Sequence, residues 1–229
     1  MIKSKIIIAV DGPAGSGKSS VSREAAIRLG IKYVDSGALY RAITFHLLKR
    51  HGILDKDTKC YPDVRSIDVE QVCSSECKIS TYVNGVDVSK EIRDERIAKN
   101  IGIVSDDPDI RGYVNRILRG ISEKDSIIMD GRDIGTVVFP DADIKIYLDA
   151  SPDVRAQRRM LEYREMGKQA DLEDIKKRII KRDEEDKSRP LGRLCRADDA
   201  IYIDTSDMNI GEVIEKIVEI INIFIKSVV

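Results

Sequence analysis

The stretch Gly12-Pro13-Ala14-Gly15-Ser16-Gly17-Lys18-Ser19 carries glycines, a lysine and a hydroxyl in the Gly-x-x-x-x-Gly-Lys-Ser/Thr order of a phosphate-binding loop. Glycines let the main chain approach a polyanion with no Cβ in the way, so successive N–H groups can form an anion cradle at a helix N-terminus. Lys18 adds a mobile positive charge for the outer phosphates. Ser19 offers the hydroxyl that ligates Mg²⁺ in such loops, and Ser20 a second one beside it. The ligand implied is a nucleoside triphosphate held by Gly12 to Ser20.

A second chemistry is written in arginines. Arg41 follows Asp35-Ser36-Gly37, Arg132 stands in Asp130-Gly131-Arg132-Asp133, and Arg155, Arg158 and Arg159 form an Arg-x-x-Arg-Arg run. The planar guanidinium makes paired hydrogen bonds to phosphate, so Arg41 and Arg132 are candidates for an anion site separate from the loop. Spacing alone also allows Arg41 to be a surface helix residue. Lys176, Lys177, Arg178, Lys181 and Arg182 alternate with acids, which a solvated helix face explains as well. Asp183 to Pro190, taken alone, reads as a charged helix end.

These groups need a frame that brings them together. Lys5 to Val10 is a short, unbroken, largely β-branched run, as expected of a parallel strand covered on both faces, and Lys18 to Leu29 reads as a helix stopped by Gly30. A strand at Lys32–Val34 and a helix from Ala38 to about Arg50, ended by Gly52, complete a βαβα start. Alternation then takes over, with Asn84-Gly85 between Lys78–Val83 and Val86–Val88, a hairpin signal. Helices are expected across Glu91–Lys99 and Asp109–Ile121, the latter introduced by Asp107 and Pro108. Buried strands are expected at Ser126–Met129, Ile144–Leu148 and Ile201–Ile203, each running into an aspartate: Asp130, Asp149 or Asp204. The carboxyl ends of such strands are where α/β proteins place ligands.

Composition narrows the alternatives. Lys and Arg total 39 against 40 Asp and Glu, for a formal charge of −1, so no overall field favours nucleic acid or a membrane. The absence of Trp argues against a base-stacking platform. Cys60, Cys73, Cys77 and Cys195 lack zinc-ligand spacing and are expected to be free thiols. The apolar N-terminal run leads straight into the phosphate loop, which suits a core strand better than an export signal, and Ile210–Val229 has the charges of an amphipathic helix. A cytoplasmic location follows as the expectation.

Longer motifs carry a resemblance. The segments Asp11–Lys18, Asp35-Ser-Gly-Ala-Leu-Tyr-Arg41, Asp87-Val-Ser-Lys-Glu-Ile-Arg93, Asp130-Gly-Arg-Asp-Ile-Gly-Thr-Val-Val-Phe-Pro140 and Arg155–Arg159 resemble the bacterial cytidylate kinases, a nucleoside monophosphate kinase family. The resemblance implies an α/β phosphate-loop kinase with a central parallel five-stranded sheet flanked by helices. Its core would comprise residues 1–37, 116–154 and 171–229. A monophosphate-binding insert with a small antiparallel element would span about 38–115, and a short lid about 155–170.

It further implies ATP as donor, CMP or dCMP as acceptor, Mg²⁺ as cofactor, and a monomer. Ser36, Arg41, Arg111, Arg132, Asp133, Arg182, Asp186 and Arg189 would hold the acceptor: Arg41, Arg132 and Arg189 its phosphate, Asp186 its ribose, Arg111 with Asp133 its base. Lys18, Arg132, Arg155, Arg158 and Arg159 would serve transfer. Ser19 and Asp130 would organise the metal, with Asp35 a competitor for Asp130. Where the family has a base-reading serine, this chain has Gly102, with Ser105 nearby. Two other readings remain at this point: a kinase for a different acceptor, and a GTPase-type switch, for which an Asn/Thr-Lys-x-Asp motif is missing.

Overall fold

A five-stranded parallel sheet in the order β2-β6-β1-β7-β8 forms the centre of the molecule. The computed structural model describes residues 5–55, 62–74, 78–165 and 167–228. Cys60, Cys77, Val229 and the parts of the expected core, insert and lid that fall on 1–4, 56–61, 75–77 and 166 lie outside the described residues.

The strands are β1 (Ile7–Asp11), β2 (Lys32–Asp35), β6 (Ile127–Gly131), β7 (Ile144–Asp149) and β8 (Ile201–Asp204). Register is continuous across the middle, with Asp11 opposite Gly131 and Asp35 opposite Asp130, so the acidic strand ends lie in one row. Side chains alternate between two hydrophobic cores. Ile8, Val10, Ile128, Ile146 and Leu148 face α1 (Lys18–Leu29) and α7 (Ile210–Val228). Ala9, Val34, Ile127 and Met129 face α2 (Ser36–His51) and α4 (Pro108–Ser122). Burial on both faces is why these strands read as unbroken apolar runs.

Two expectations needed correction. β8 is not a buried strand: Ile201 and Tyr202 are exposed and Ile203 alone of its apolar residues is buried, because β8 is the sheet edge. The helix expected at Glu91–Lys99 is a 3-10 turn at Glu91–Arg93 followed by α3 (Glu95–Asp106), separated by Asp94, whose carboxylate caps α3 by accepting from Arg96 N. α2 starts at Ser36, with Asp35 as its N-cap accepting from Ala38 N at 3.0 Å.

A second, antiparallel sheet holds β3 (Val69–Cys73), β4 (Ile79–Val83) and β5 (Val86–Asp87). β4 and β5 meet at Asn84 and Gly85, both at positive φ as the hairpin signal requires. Gln71 of β3 is one of the side chains that tie this small sheet to the main one. Gln71 accepts from Asp35 N at 2.9 Å and donates to Asp35 O at 3.0 Å, copying a strand's paired hydrogen bonds. Opposite it, α5 (Pro152–Glu165) and α6 (Leu172–Ser188) pack on each other through Ala156, Ile175 and Ile179. No described helix is long and apolar enough to cross a membrane.

Candidate active site

β1 delivers the loop residues Gly12 to Gly17 to the carboxyl edge of the sheet. Gly12 adopts φ +148°, and a Cβ there would overlap the Leu148 carbonyl of β7, so only glycine lets the loop lie this close. Gly17 is the N-cap of α1 at φ +90° and supplies no capping side chain, which leaves the first N–H groups of α1 open to an anion. Lys18 is 4% exposed; its Nζ donates to Pro13 O at 2.6 Å and Ser16 Oγ at 3.2 Å, folded back over the loop. Ser20 lies exposed in the same first turn.

Beside this cradle Ser19 Oγ donates to Asp130 Oδ2 at 2.7 Å. Burial, then the charge of Asp35, raises the Asp130 carboxyl to about 6. Asp35 itself is spent on capping α2 and on an ion pair to Arg93 at 3.3 Å. Of the two aspartates, Asp130 is the one in contact with the loop hydroxyl. One hydroxyl and one carboxylate, with phosphate oxygens and water completing the shell, is a donor set that suits Mg²⁺. A cation there would also relieve the like-charge crowding of Asp130 and Asp35.

Two of the residues expected on the acceptor side, Arg132 and Arg189, meet on one aspartate. Asp186 of α6 accepts from Arg132 Nε at 3.0 Å and from Arg189 Nη2 at 2.8 Å; Arg189 Nε also reaches Asp106 at the end of α3, at 2.5 Å. Burial pushes Asp186 up, but Arg132, Arg189 and Arg182 together hold it below the usual carboxylate range. Arg41 is pushed down to about 10 by burial and by Arg182 and Arg93. Arg182 is likewise lowered by burial and by Arg132. A multiply charged anion bound among these cations would relieve their repulsion.

The two halves share one field. Lys18 is held well below its ordinary value by burial and then by Arg132, while Asp130, Asp11 and Asp186 oppose the shift. Arg132 and Asp186 of the arginine cluster are thus felt directly at the loop lysine. A third element lies deeper: Arg111 of α4 pairs with Asp133 and donates to Ser105 O at 3.0 Å, with its guanidinium over the Tyr40 ring. Ser36 Oγ donates to Asp130 O at 2.7 Å.

The family model for cytidylate kinase matches residues 8–223. The chain belongs to the cytidylate kinase family. A cytidylate kinase of Geobacillus sp. (strain WCH70) is 39% identical over 221 residues, covering 96% of this chain and 98% of that protein. One from Caldanaerobacter subterraneus subsp. tengcongensis is 40% identical over 225 residues, covering 96% of each. An uncharacterized protein of known structure from Eubacterium ventriosum ATCC 27560 shares the fold, with a TM-score of 0.52 at 14% identity over 95% of this chain and 99% of that one.

Among the arginines expected to serve transfer in this cytidylate kinase family member, Arg155 stands differently. It is buried, donating to Ala150 O at 2.8 Å, to Ala14 O at 3.1 Å and to Asp183 at 2.6 Å. These contacts tie it to the main chain of the loop at Ala14 and to α6 at Asp183. Arg158 donates to Ser16 O at 3.4 Å and to Thr205 O at 2.7 Å, between the loop and the end of β8. Arg159 is exposed, paired with Glu162 at 2.6 Å and set over the Tyr163 ring.

Several contributors were not singled out from sequence. Asp11 accepts from Ile134 N at 2.8 Å and Gly135 N at 2.7 Å, fixing the π-helical turn Ile134–Val138 that follows Arg132 and Asp133. Its position in the Asp11–Lys18 motif was the available signal. Asp11→Asn can satisfy only one of those donors, so urea unfolding near neutral pH should show a loss of about 2 kcal/mol. Burial raises the Asp11 carboxyl to about 6. A raised carboxylate favours the fold while protonated, so its contribution declines as pH climbs from about 4 through 6. The asparagine variant should lack that part of the slope; an unchanged slope would remove Asp11 as its source.

Proposed function

We propose that the protein transfers the terminal phosphoryl group of ATP to CMP and dCMP, with the loop holding the donor and the arginine cluster the acceptor. The observation that carries this reading is the pairing of a phosphate loop, with Lys18 folded over Pro13 and Ser16, and an Arg132–Asp186–Arg189 cluster. Membership of the cytidylate kinase family supports it. Phosphoryl transfer asks the protein for in-line placement, charge neutralisation and exclusion of water. A strong base is unnecessary because the attacking phosphate oxygen is already ionised near neutral pH.

In this reading Gly12 to Ser20 cradle the donor phosphates, and Lys18 follows the group in flight. Arg41, Arg132 and Arg189 grip the acceptor phosphate with Arg182 beside them, and Asp186 holds the ribose while keeping these arginines together. Arg158 and Arg159 come from the lid, with Arg155 keeping the loop in place behind them. Ser19 and Asp130 would hold Mg²⁺, which when bound neutralises donor phosphate charge. Action as a monomer in the cytoplasm, on free nucleotides, belongs to the same reading; the balanced charge speaks against nucleic acid or a membrane as partner.

Arg111 and Asp133 offer a donor beside an acceptor, the complement of cytosine's ring acceptors and exocyclic amine. Gly102 provides no side chain to add to them, so discrimination against uracil should be modest. A Cβ at Gly102 would meet nothing within 4 Å. Gly102→Ser should therefore be accepted without strain, stabilise α3 by about 0.5 kcal/mol through helix propensity, and widen the CMP-over-UMP ratio of kcat/KM. The whole reading is tested by incubating the protein with ATP and CMP, dCMP, UMP or AMP in turn and measuring diphosphate products. CDP and dCDP should dominate; preference for AMP, or tight guanosine nucleotide binding without turnover, would replace it.

A further inference from the structure

Both carboxylate oxygens of Asp130 are held, and one of these contacts has no part in the roles above. Tyr33 of β2 donates its hydroxyl to Asp130 Oδ1 at 2.7 Å, while Ser19 takes Oδ2 at the same distance. Both residues are almost fully buried, at 4% and 5% exposure. In the β2–β6 register Tyr33 lies opposite Ile128, so its ring extends along the strand pair to reach Asp130. The ring belongs to the core formed by Ile8, Val21, Ala25 and Ile128; the hydroxyl alone enters the site. Ring and hydroxyl therefore do separable work.

We propose that the Tyr33 hydroxyl is a positioning group: it ties down Asp130 Oδ1 so that Oδ2 stays turned to Ser19, where the metal would be held. The inference rests on reading Ser19 and Asp130 as the metal-holding pair. Without the hydroxyl, Oδ1 would be an acceptor in a dry environment with its donor gone, and the carboxylate would turn to share Ser19 or approach Lys18. Groups that orient a metal ligand in this way change metal affinity by about 10- to 100-fold when removed.

The test is Tyr33→Phe beside Asp130→Asn and Ser19→Ala, each measured for Mn²⁺ binding to the protein–ADP complex by electron paramagnetic resonance. The Mg²⁺ concentration for half-maximal turnover and the KM for CMP are measured alongside. Tyr33→Phe should weaken Mn²⁺ binding about 10-fold and raise the Mg²⁺ requirement, with KM for CMP unchanged within twofold. Unchanged Mn²⁺ binding in Tyr33→Phe, while Asp130→Asn weakens it, would overturn the role of the hydroxyl and leave the metal pair standing. Unchanged Mn²⁺ binding in both Asp130→Asn and Ser19→Ala would remove the pair itself. Equal losses of Mn²⁺ and CMP affinity in Tyr33→Phe would mean a general fault of the core, and would also overturn the proposal.

Discussion

Lys18→Ala is expected to cut turnover with ATP and CMP by about 10²- to 10³-fold, the scale seen when one donor to transferring charge is lost. The same change should leave the nucleotide-free protein no less stable. Burial and the facing Arg132 hold the Lys18 ammonium far below its ordinary pKa, so in the absence of phosphate its charge is an electrostatic cost to the fold. What the substitution removes in favourable terms is the pair of hydrogen bonds to Pro13 O and Ser16 Oγ. Urea unfolding and single-turnover rates separate the two effects. A variant with near wild-type turnover would detach Lys18 from the reaction, and a collapsed midpoint would show that it is structural.

Asp186→Ala is expected to be the most damaging change on the acceptor side. Asp186 is the shared anion between Arg132 and Arg189 and also opposes Arg182. Its removal leaves buried guanidinium groups facing one another, a situation that costs about 3 kcal/mol when one partner of a buried pair is lost. Chemical denaturation without nucleotide would report that loss. The KM for CMP should rise by about tenfold or more, because the arginines lose the geometry in which they meet a phosphate. The KM for ATP should stay close to wild type. Equal increases in both constants would contradict separate cradles and point to a wider collapse of the α6 end.

Both predictions fall on residues visible in the sequence, and it matters why. The phosphate loop and its flanking elements were legible because glycine placement, a buried strand and a glycine-stopped helix are local properties. The α1 range Lys18–Leu29 is therefore the same in sequence and structure. The hairpin at Asn84 and Gly85 was legible for the same reason. β3 was not, because five residues with one charge and two buried positions make a weak pattern until β4 supplies a partner. The exposed face of β8 followed from its place at the sheet edge, which depends on strand order and not on its own residues.

At the site, residue types suggested the arginines but not their partners. Whether Arg155 faces phosphate or braces the loop turns on Asp183, 28 positions away in the chain. Gln71 and Asp11 are polar residues of ordinary appearance whose work lies in contacts to backbone groups of distant segments. Tyr33 is similar: its alternation in β2 marks a core ring, and nothing local says that the hydroxyl ends on Asp130.

The most direct test of the two facing cradles is calorimetric titration with a single bisubstrate ligand, adenosine and cytidine joined through a chain of phosphates. The account predicts one ligand per chain, bound far more tightly than ATP or CMP alone, displacing both, and weakened by Lys18→Ala and by Asp186→Ala alike. Binding through the adenosine half only, with CMP still able to bind beside it and Asp186→Ala without effect, would contradict it.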